Sequence, residues 1–198
     1  LAKHYKPYKA TERPVLEQLL YACCLEDSRP EVADESFARL QESFFDWNEV
    51  RVTTVRELSE LLRGLHDPTR SATMIKQNLH SVFEAIYEFD LESLHKQNLG
   101  AAEKQLQQFR GTTPFSVAFV VQNTLAGHSI PVSRAGYEIL AILGLISDKE
   151  LKQQVVPGLE RSISKNKGPE FGSLLQQFAA DFAAGPNSQA VRSILLEI

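Results

Sequence analysis

The 198-residue sequence predicts an all-α protein of about ten helices. Apolar residues recur at helical spacing along most of the chain. Several of these segments begin with a Ser, Thr, Asp or Pro start signal and end near a glycine. No segment alternates between apolar and polar residues before a tight hairpin turn, so no β-sheet is expected.

The N-terminal half contains the first group of predicted helices. The first helix follows residues 11–14, where a threonine cap precedes a first-turn proline. Its apolar face consists of Val15, Leu16, Leu19, Leu20 and Cys23. A second helix is centred on Phe37, a third begins at the Thr54 cap and ends at Gly64, and a fourth follows Asp67. Short helices are expected at residues 91–94 and 101–109.

The segment from Phe115 to Val121 is the one place where Val and Phe favour a strand. Its continuation lacks alternation, and Pro114 suits the first turn of a helix, so we predict a buried helix that runs to about Gly127. The remaining predicted elements are a helix over residues 133–145, a short helix over 148–153, a basic loop over 158–169, a long helix that stops at 185–186 and a last short helix around 191–195.

Composition places the chain among ordinary globular proteins, with 43% hydrophobic and 23% charged residues. No apolar run approaches the ~20 residues of a membrane span, and no signal peptide is recognisable, so we expect a cytoplasmic protein. Because the chain begins at Leu1 rather than Met, we expect it to be an excerpt of a longer protein. The net charge of −4 argues against binding that depends on phosphate attraction alone. Basic residues nevertheless cluster near both ends, as Lys3, Lys6, Lys9, Arg13, Arg161, Lys165 and Lys167.

Only two cysteines are present, Cys23 and Cys24, and they are neighbours. Two adjacent thiols cannot supply a four-cysteine metal cluster, and no histidine pair has metal-ligand spacing. We therefore expect no cofactor and no metal cluster.

The informative stretch is residues 106–118, which predicts a helix, a tight turn with Gly111, Thr112 and Thr113, and a second helix from Pro114. Such a turn presents backbone N–H groups at the positive end of a helix dipole, an arrangement that suits a phosphate. Taken alone the pattern is also typical of plain helix capping.

The continuation over residues 120–133 strengthens the interpretation. The sequence resembles the segment that joins the hairpin to the catalytic loop in the endonuclease III-like helix-hairpin-helix (HhH-GPD) DNA glycosylases and AP lyases. Residues 19–23 resemble the family's Leu-Leu-Ser-Ala-Gln helix, and residues 62–65 its Ile-Gly-Leu segment. The resemblance implies a two-lobed helical fold, with a six-helix barrel over 29–130 and a second lobe formed by 1–28 and 131–198.

The resemblance also implies which residues occupy the family's functional positions. The nucleophilic lysine falls at Ser116 and the catalytic aspartate at Ser133, and neither serine supplies the amine or the carboxylate. Glu138 is the only carboxylate near the second position in sequence, and the base-gap glutamine falls at Cys23. DNA contacts would come from Gly111, Thr112, Thr113 and Phe115.

Three functions remain open at this stage. The leading hypothesis is a duplex-DNA-binding protein, associated with the nucleoid, whose glycosylase and lyase catalysis is impaired. The second is an active glycosylase without lyase activity. The third is a helical protein-interaction module without a nucleic-acid role, which acidic side chains around Gly111 would favour.

Overall fold

The structure, a computed structural model, describes residues 1–198 and contains twelve α-helices and one short 3-10 helix. The first lobe contains α1 (Val15–Leu25), α2 (Pro30–Ser43), α3 (Trp47–Val52), α4 (Val55–Leu61), α5 (Pro68–Ile86), the 3-10 helix (Glu92–Lys96), α6 (Leu99–Gln107) and α7 (Pro114–Asn123). The second contains α8 (Arg134–Ile142), α9 (Asp148–Gln153), α10 (Leu159–Ser162), α11 (Gly168–Ala184) and α12 (Gln189–Glu197). The all-α prediction is confirmed. No helix combines the length and the apolar character needed to cross a membrane.

The central element of the first lobe is α1. Ten of its eleven residues are buried, and it packs against α2, α5 and α7. A helix that is buried on almost every side must lie inside a core rather than on its surface. All buried residues of the main core lie between Val15 and Val121.

The second lobe has two smaller apolar clusters. One joins α8, α11 and α12 through residues such as Ile139, Phe178 and Ile194. The other joins the segment before α8 to Leu140 and Leu175. The main core thus ends at Val121, within α7, and the smaller clusters begin at Ile130, before α8.

The N-terminal segment crosses to the second lobe before α1 begins. The Tyr5 hydroxyl donates to Asp181 at 2.9 Å, and the Tyr8 N–H donates to the Ser173 hydroxyl at 3.2 Å. The sequence assigns residues 1–28 to the second lobe as one piece. In the structure the segment before α1 packs there, whereas α1, with ten of its eleven residues buried, is enclosed by the first lobe.

Two helices are absent from the sequence-based prediction. α3 has six residues with a single buried one, Val50, and α10 has four residues with none. Elements this short give no apolar periodicity to detect. The segment predicted as a short helix near Leu94 is the 3-10 helix.

Candidate functional site

The hairpin predicted around Gly111 joins α6 to α7. A Cβ atom at Gly111 would lie 2.2 Å from the Met74 carbonyl oxygen and 2.7 Å from the Asn78 backbone nitrogen. Glycine is therefore required because the turn packs directly on the backbone of α5. The Thr112 hydroxyl donates to the Phe109 carbonyl at 2.7 Å, which closes the turn from within.

Thr113 and Ser116 form a reciprocal cap at the start of α7. The Ser116 N–H donates to the Thr113 hydroxyl at 3.1 Å, and the Thr113 N–H donates to the Ser116 hydroxyl at 2.9 Å. Ser116 is 1% exposed. Its hydroxyl therefore satisfies the helix N-terminus and presents no free group to a ligand.

Phe115, predicted as a DNA contact, does not lie on the surface. The residue is 1% exposed and its ring stacks on Phe119 with centroids 5.9 Å apart. Because the chain enters α7 through Pro114, the residue that follows points into the core of the first lobe. Phe115 therefore contributes almost no exposed surface at the hairpin, and its ring instead lines a cavity described below.

Ser133 caps the second helix of interest, α8. Its hydroxyl accepts a hydrogen bond from the Gly136 N–H at 3.3 Å, and the residue is 2% exposed. The two serines at the positions that the resemblance implies for catalysis thus have the same structural role. Each is a buried helix cap.

The turn between α1 and α2 brings two carboxylates to the space between the hairpin and α8. Glu26 accepts a hydrogen bond from the Thr113 hydroxyl at 3.0 Å and forms an ion pair with Arg70 at 3.3 Å. Asp27 accepts a hydrogen bond from the Ala135 N–H, in the first turn of α8, at 3.1 Å. Sequence reasoning missed both residues; their only signal is a pair of acids directly after a mostly apolar helix.

These carboxylates line a cavity of about 220 Å³, which we call the acidic cleft. Its lining consists of Glu26, Asp27, His66, Asp67, Arg70, Ser71, Arg134, Ala135, Glu138 and Ala183. Four carboxylates face two guanidinium groups, so the cleft is acidic on balance. Glu138, predicted as a substitute carboxylate, does lie here, although its side chain is 43% exposed and pairs with Arg134 at 3.5 Å.

The Glu26 carboxyl has a pKa raised above its usual value of 4.5. Burial is the main cause, since a charge is poorly solvated in the protein interior. The Arg70 guanidinium opposes the shift, and the neighbouring Asp27 charge adds to it. Glu26 therefore holds its proton to a higher pH than an exposed glutamate.

Cys23, predicted to occupy the base-gap position, is enclosed by the core. The residue is 1% exposed, its thiol donates to the Leu19 carbonyl at 3.4 Å, and it accepts a hydrogen bond from the Asn78 amide at 3.4 Å. Burial raises the thiol pKa well above its usual value. A side chain in this position cannot fill a gap in a DNA duplex unless the cleft rearranges.

A second cavity, of about 240 Å³, is lined by residues of the N-terminal segment, α7 and α11. Amide and aromatic side chains line it, among them Phe115, Phe119, Gln122, Asn123 and Gln176, and the N-terminal segment 7–10 closes one side. We call it the amide cavity.

Gln176 connects the amide cavity to the turn that carries the acidic cleft. Its side-chain NH₂ donates to the carbonyls of Leu25 and Ser28, which flank the two acids. Its amide oxygen is buried and has no partner. An unpaired buried carbonyl is costly, and this one belongs to a residue that lines the amide cavity.

The charges around the hairpin are mixed. Arg110, in the turn, pairs with Glu84 of α5 at 4.0 Å and its side chain is 78% exposed. On the other flank, Glu103 and Glu160 are the charged side chains that line a cavity of about 520 Å³ with Thr112 and Thr113. The turn therefore presents one exposed cation beside an acidic flank.

The two-lobed helical fold, with its hairpin between α6 and α7, is similar to the folds of several solved DNA glycosylases. Among solved structures, 90% of the chain matches 78% of endonuclease III in a trapped covalent DNA intermediate, with a TM-score of 0.60 and 15% identity. The 8-oxoguanine glycosylase/lyase of Clostridium acetobutylicum matches with a TM-score of 0.59 and 15% identity, over 85% of this chain and 61% of that one.

A third match covers nearly the whole of its counterpart. The 3-methyladenine DNA glycosylase of H. pylori, bound to 1,N6-ethenoadenine, matches over 89% of this chain and 92% of that one, with a TM-score of 0.54 and 14% identity. No protein-family model and no curated protein matches the sequence. The shared property is therefore the fold, at identities too low to transfer an activity.

Proposed function

We propose that this protein binds duplex DNA across the cleft between its lobes, as an endonuclease III-like relative of base-excision-repair glycosylases with impaired catalysis. One observation carries the proposal. The turn with Glu26 and Asp27 joins the hairpin, through Thr113, to the start of α8, through Ala135. The hairpin turn is of a type that binds phosphate, and hydrogen bonds thus join it to the ligand-sized acidic cleft.

The step that we expect to be lost is the formation of a covalent intermediate between the protein and the DNA sugar. An AP lyase forms a Schiff base with the sugar, a step that needs an amine. Ser116 has no amine, and its hydroxyl is already used in the α7 cap. Ser133 supplies no carboxylate and is used in the α8 cap. We therefore expect DNA binding without borohydride-trappable covalent complexes.

The test is fluorescence anisotropy with a labelled duplex, titrated with protein at low and at physiological salt. Binding should be measurable at about 20 mM salt and weaken steeply towards about 150 mM, because phosphate contacts release counterions. Arg110→Ala should weaken binding several-fold, since the hairpin loses its exposed cation. Arg56→Ala is the matched control, because Arg56 is similarly exposed, at 89% against 78%, and is also ion-paired but lies on α4. Absence of binding at the lower salt overturns the proposal and favours the protein-interaction alternative.

A second candidate function is a hydrolytic DNA glycosylase without lyase activity. Two observations favour it: a carboxylate-lined cleft, and an amide cavity whose rings and amides suit a planar, hydrogen-bonding base. Hydrolytic removal of a base needs no amine, so the loss at Ser116 does not exclude it. Release of a modified base from duplex DNA, without borohydride trapping, is the result that supports this candidate.

A further inference from the structure

Asp27 is held in an unusual position in the acidic cleft. Its backbone has φ +59°, in the left-handed region, and the residue is 6% exposed. Aspartate tolerates this conformation better than most residues, yet it still carries strain. The conformation directs the side chain onto the first turn of α8, where Oδ1 accepts the Ala135 N–H at 3.1 Å.

The N-terminus of α8 favours a negative charge at this point. The first turn of a helix carries a partial positive charge from its unpaired N–H groups. One oxygen of Asp27 is fixed there, while Oδ2 accepts no hydrogen bond from the protein and belongs to a residue that lines the cavity. The result is a rigid carboxylate with one oxygen available to a ligand.

The other carboxylates of the cleft lack this combination. Both oxygens of Glu26 are engaged, one by Thr113 and one by Arg70. Glu138 is 43% exposed and ion-paired. Asp67 is exposed at the rim and caps α5 through the Arg70 N–H. Only Asp27 is both buried and left with an unoccupied oxygen.

From this geometry we propose that Asp27 is the catalytic carboxylate of a hydrolytic base-removal reaction in the acidic cleft. The inference rests on the proposed DNA binding, because it requires a DNA strand in the cleft, and it extends the second candidate function, a hydrolytic glycosylase. Loss of a base leaves positive charge on the sugar, and a preorganised anion close to that charge stabilises the transition state.

The reaction balances with water as the only co-reactant. The water oxygen bonds to the anomeric carbon of the sugar, and Oδ2 of Asp27 accepts one water proton. The bond from that carbon to the base nitrogen breaks, and its electron pair stays on the nitrogen. The nitrogen takes up a proton from solvent, and Asp27 returns its proton to solvent, so the net reaction adds one water and frees the base.

The test compares Asp27→Asn with the wild-type protein. Asparagine retains an oxygen for the Ala135 N–H and tolerates a left-handed backbone, so the fold should be kept. Asp148→Asn, an exposed acid in the first turn of α9, is the matched control. The probes are duplexes that contain 8-oxoguanine, 1,N6-ethenoadenine, uracil or a guanine–thymine mismatch. Base release is measured as alkali-labile strand breaks, and affinity by anisotropy on the same duplexes.

We expect the wild-type protein and Asp148→Asn to release a base from at least one duplex at equal rates. Asp27→Asn should slow that release by about 100-fold or more, with duplex affinity unchanged within about twofold. Equal release by Asp27→Asn, or no release by the wild-type protein from any probe, overturns the inference. If duplex binding persists in either case, the proposed DNA-binding function stands and only the role of Asp27 is lost.

Discussion

The hydroxyl of Thr113 donates a hydrogen bond to Oε2 of Glu26 at 3.0 Å. These residues lie 87 positions apart in the sequence, one in the hairpin turn and the other at the end of the central helix. The same hydroxyl accepts the Ser116 N–H at 3.1 Å, so Thr113 couples the α7 cap to the acidic cleft. A change at either end of this bond should therefore affect the hairpin and the cleft together.

Replacement of Thr113 by valine removes the helix cap and leaves a buried Glu26 oxygen without its donor. Loss of a cap costs ~1 kcal/mol, and an unsatisfied buried polar group costs about 1–3 kcal/mol. We expect Thr113→Val to lower the free energy of unfolding by about 2–4 kcal/mol in urea denaturation. Thr113→Ser, which keeps the hydroxyl, should lie within about 1 kcal/mol of wild type. A loss in Thr113→Val no larger than that in Thr113→Ser would contradict the stabilising role of these hydrogen bonds.

The raised pKa of Glu26 predicts a pH-dependent stability. The folded protein binds the Glu26 proton more tightly than the unfolded chain, whose value is near 4.5. The stabilisation is complete below that pH and is lost as the pH rises through the folded-state pKa. Glu26→Gln stays neutral and keeps an acceptor for Thr113, so its stability relative to wild type should increase from pH 4.5 towards neutrality.

The measurement is urea denaturation of both proteins across that pH range. Glu57→Gln provides a control of opposite sign, because hydrogen bonds from Thr54 lower the pKa of the Glu57 carboxyl. The stabilisation from Glu57 is present above the ordinary pKa and is lost as the pH falls. Its variant should therefore lose stability relative to wild type as the pH rises. A Glu26→Gln difference that stays flat with pH would mean that burial does not govern this carboxyl.

The extent to which the fold follows from sequence depends on how local the signals are. The sequence predicts α9 with its observed bounds, and in the structure a capping box from Ser147 fixes where this helix begins. It also predicts the hairpin, whose turn, cap and proline lie within eight residues of one another. It places α1 with the second lobe, whereas the structure encloses this helix in the main core, because an apolar pattern does not show which lobe covers the helix.

The candidate site is less accessible to sequence reasoning for a related reason. Glu26 and Asp27 can be recognised as site residues only through their hydrogen bonds with Thr113 and Ala135, which the tertiary fold brings near them. Ser116 and Ser133 can be placed by resemblance, yet their use as buried caps follows from local geometry. Phe115 belongs to a motif that suggests a surface contact, whereas in the structure its side chain is buried.

The two thiols should be unreactive in the folded protein. Both cysteines are free and buried, and burial raises the pKa of Cys24 to about 12. The thiol of Cys23 is shifted upwards as well, mainly by burial. Because the thiolate is the reactive form, a disulfide reagent should label neither cysteine in native buffer and both in denaturant. Rapid native labelling of one thiol would mean that the end of α1 opens on the time scale of the reaction.

The close packing of the hairpin on α5 gives the sharpest test of the fold. Gly111→Ala places a Cβ atom 2.2 Å from the Met74 carbonyl oxygen, an atom of helical backbone that cannot move without disturbing α5. We expect a loss of about 3 kcal/mol or more in the free energy of unfolding, measured by urea denaturation.

Gly100→Ala is the matched control, because its Cβ atom meets nothing closer than the Asn98 side-chain oxygen at 3.7 Å. Gly100 lies in the first turn of α6, where alanine is favoured over glycine by about 0.5–1 kcal/mol, so this variant should be neutral or slightly stabilised. A hairpin that stood away from α5 would tolerate both substitutions. Equal stability of the two variants would therefore contradict the contact between the turn and α5, and with it the position of Thr113 over Glu26.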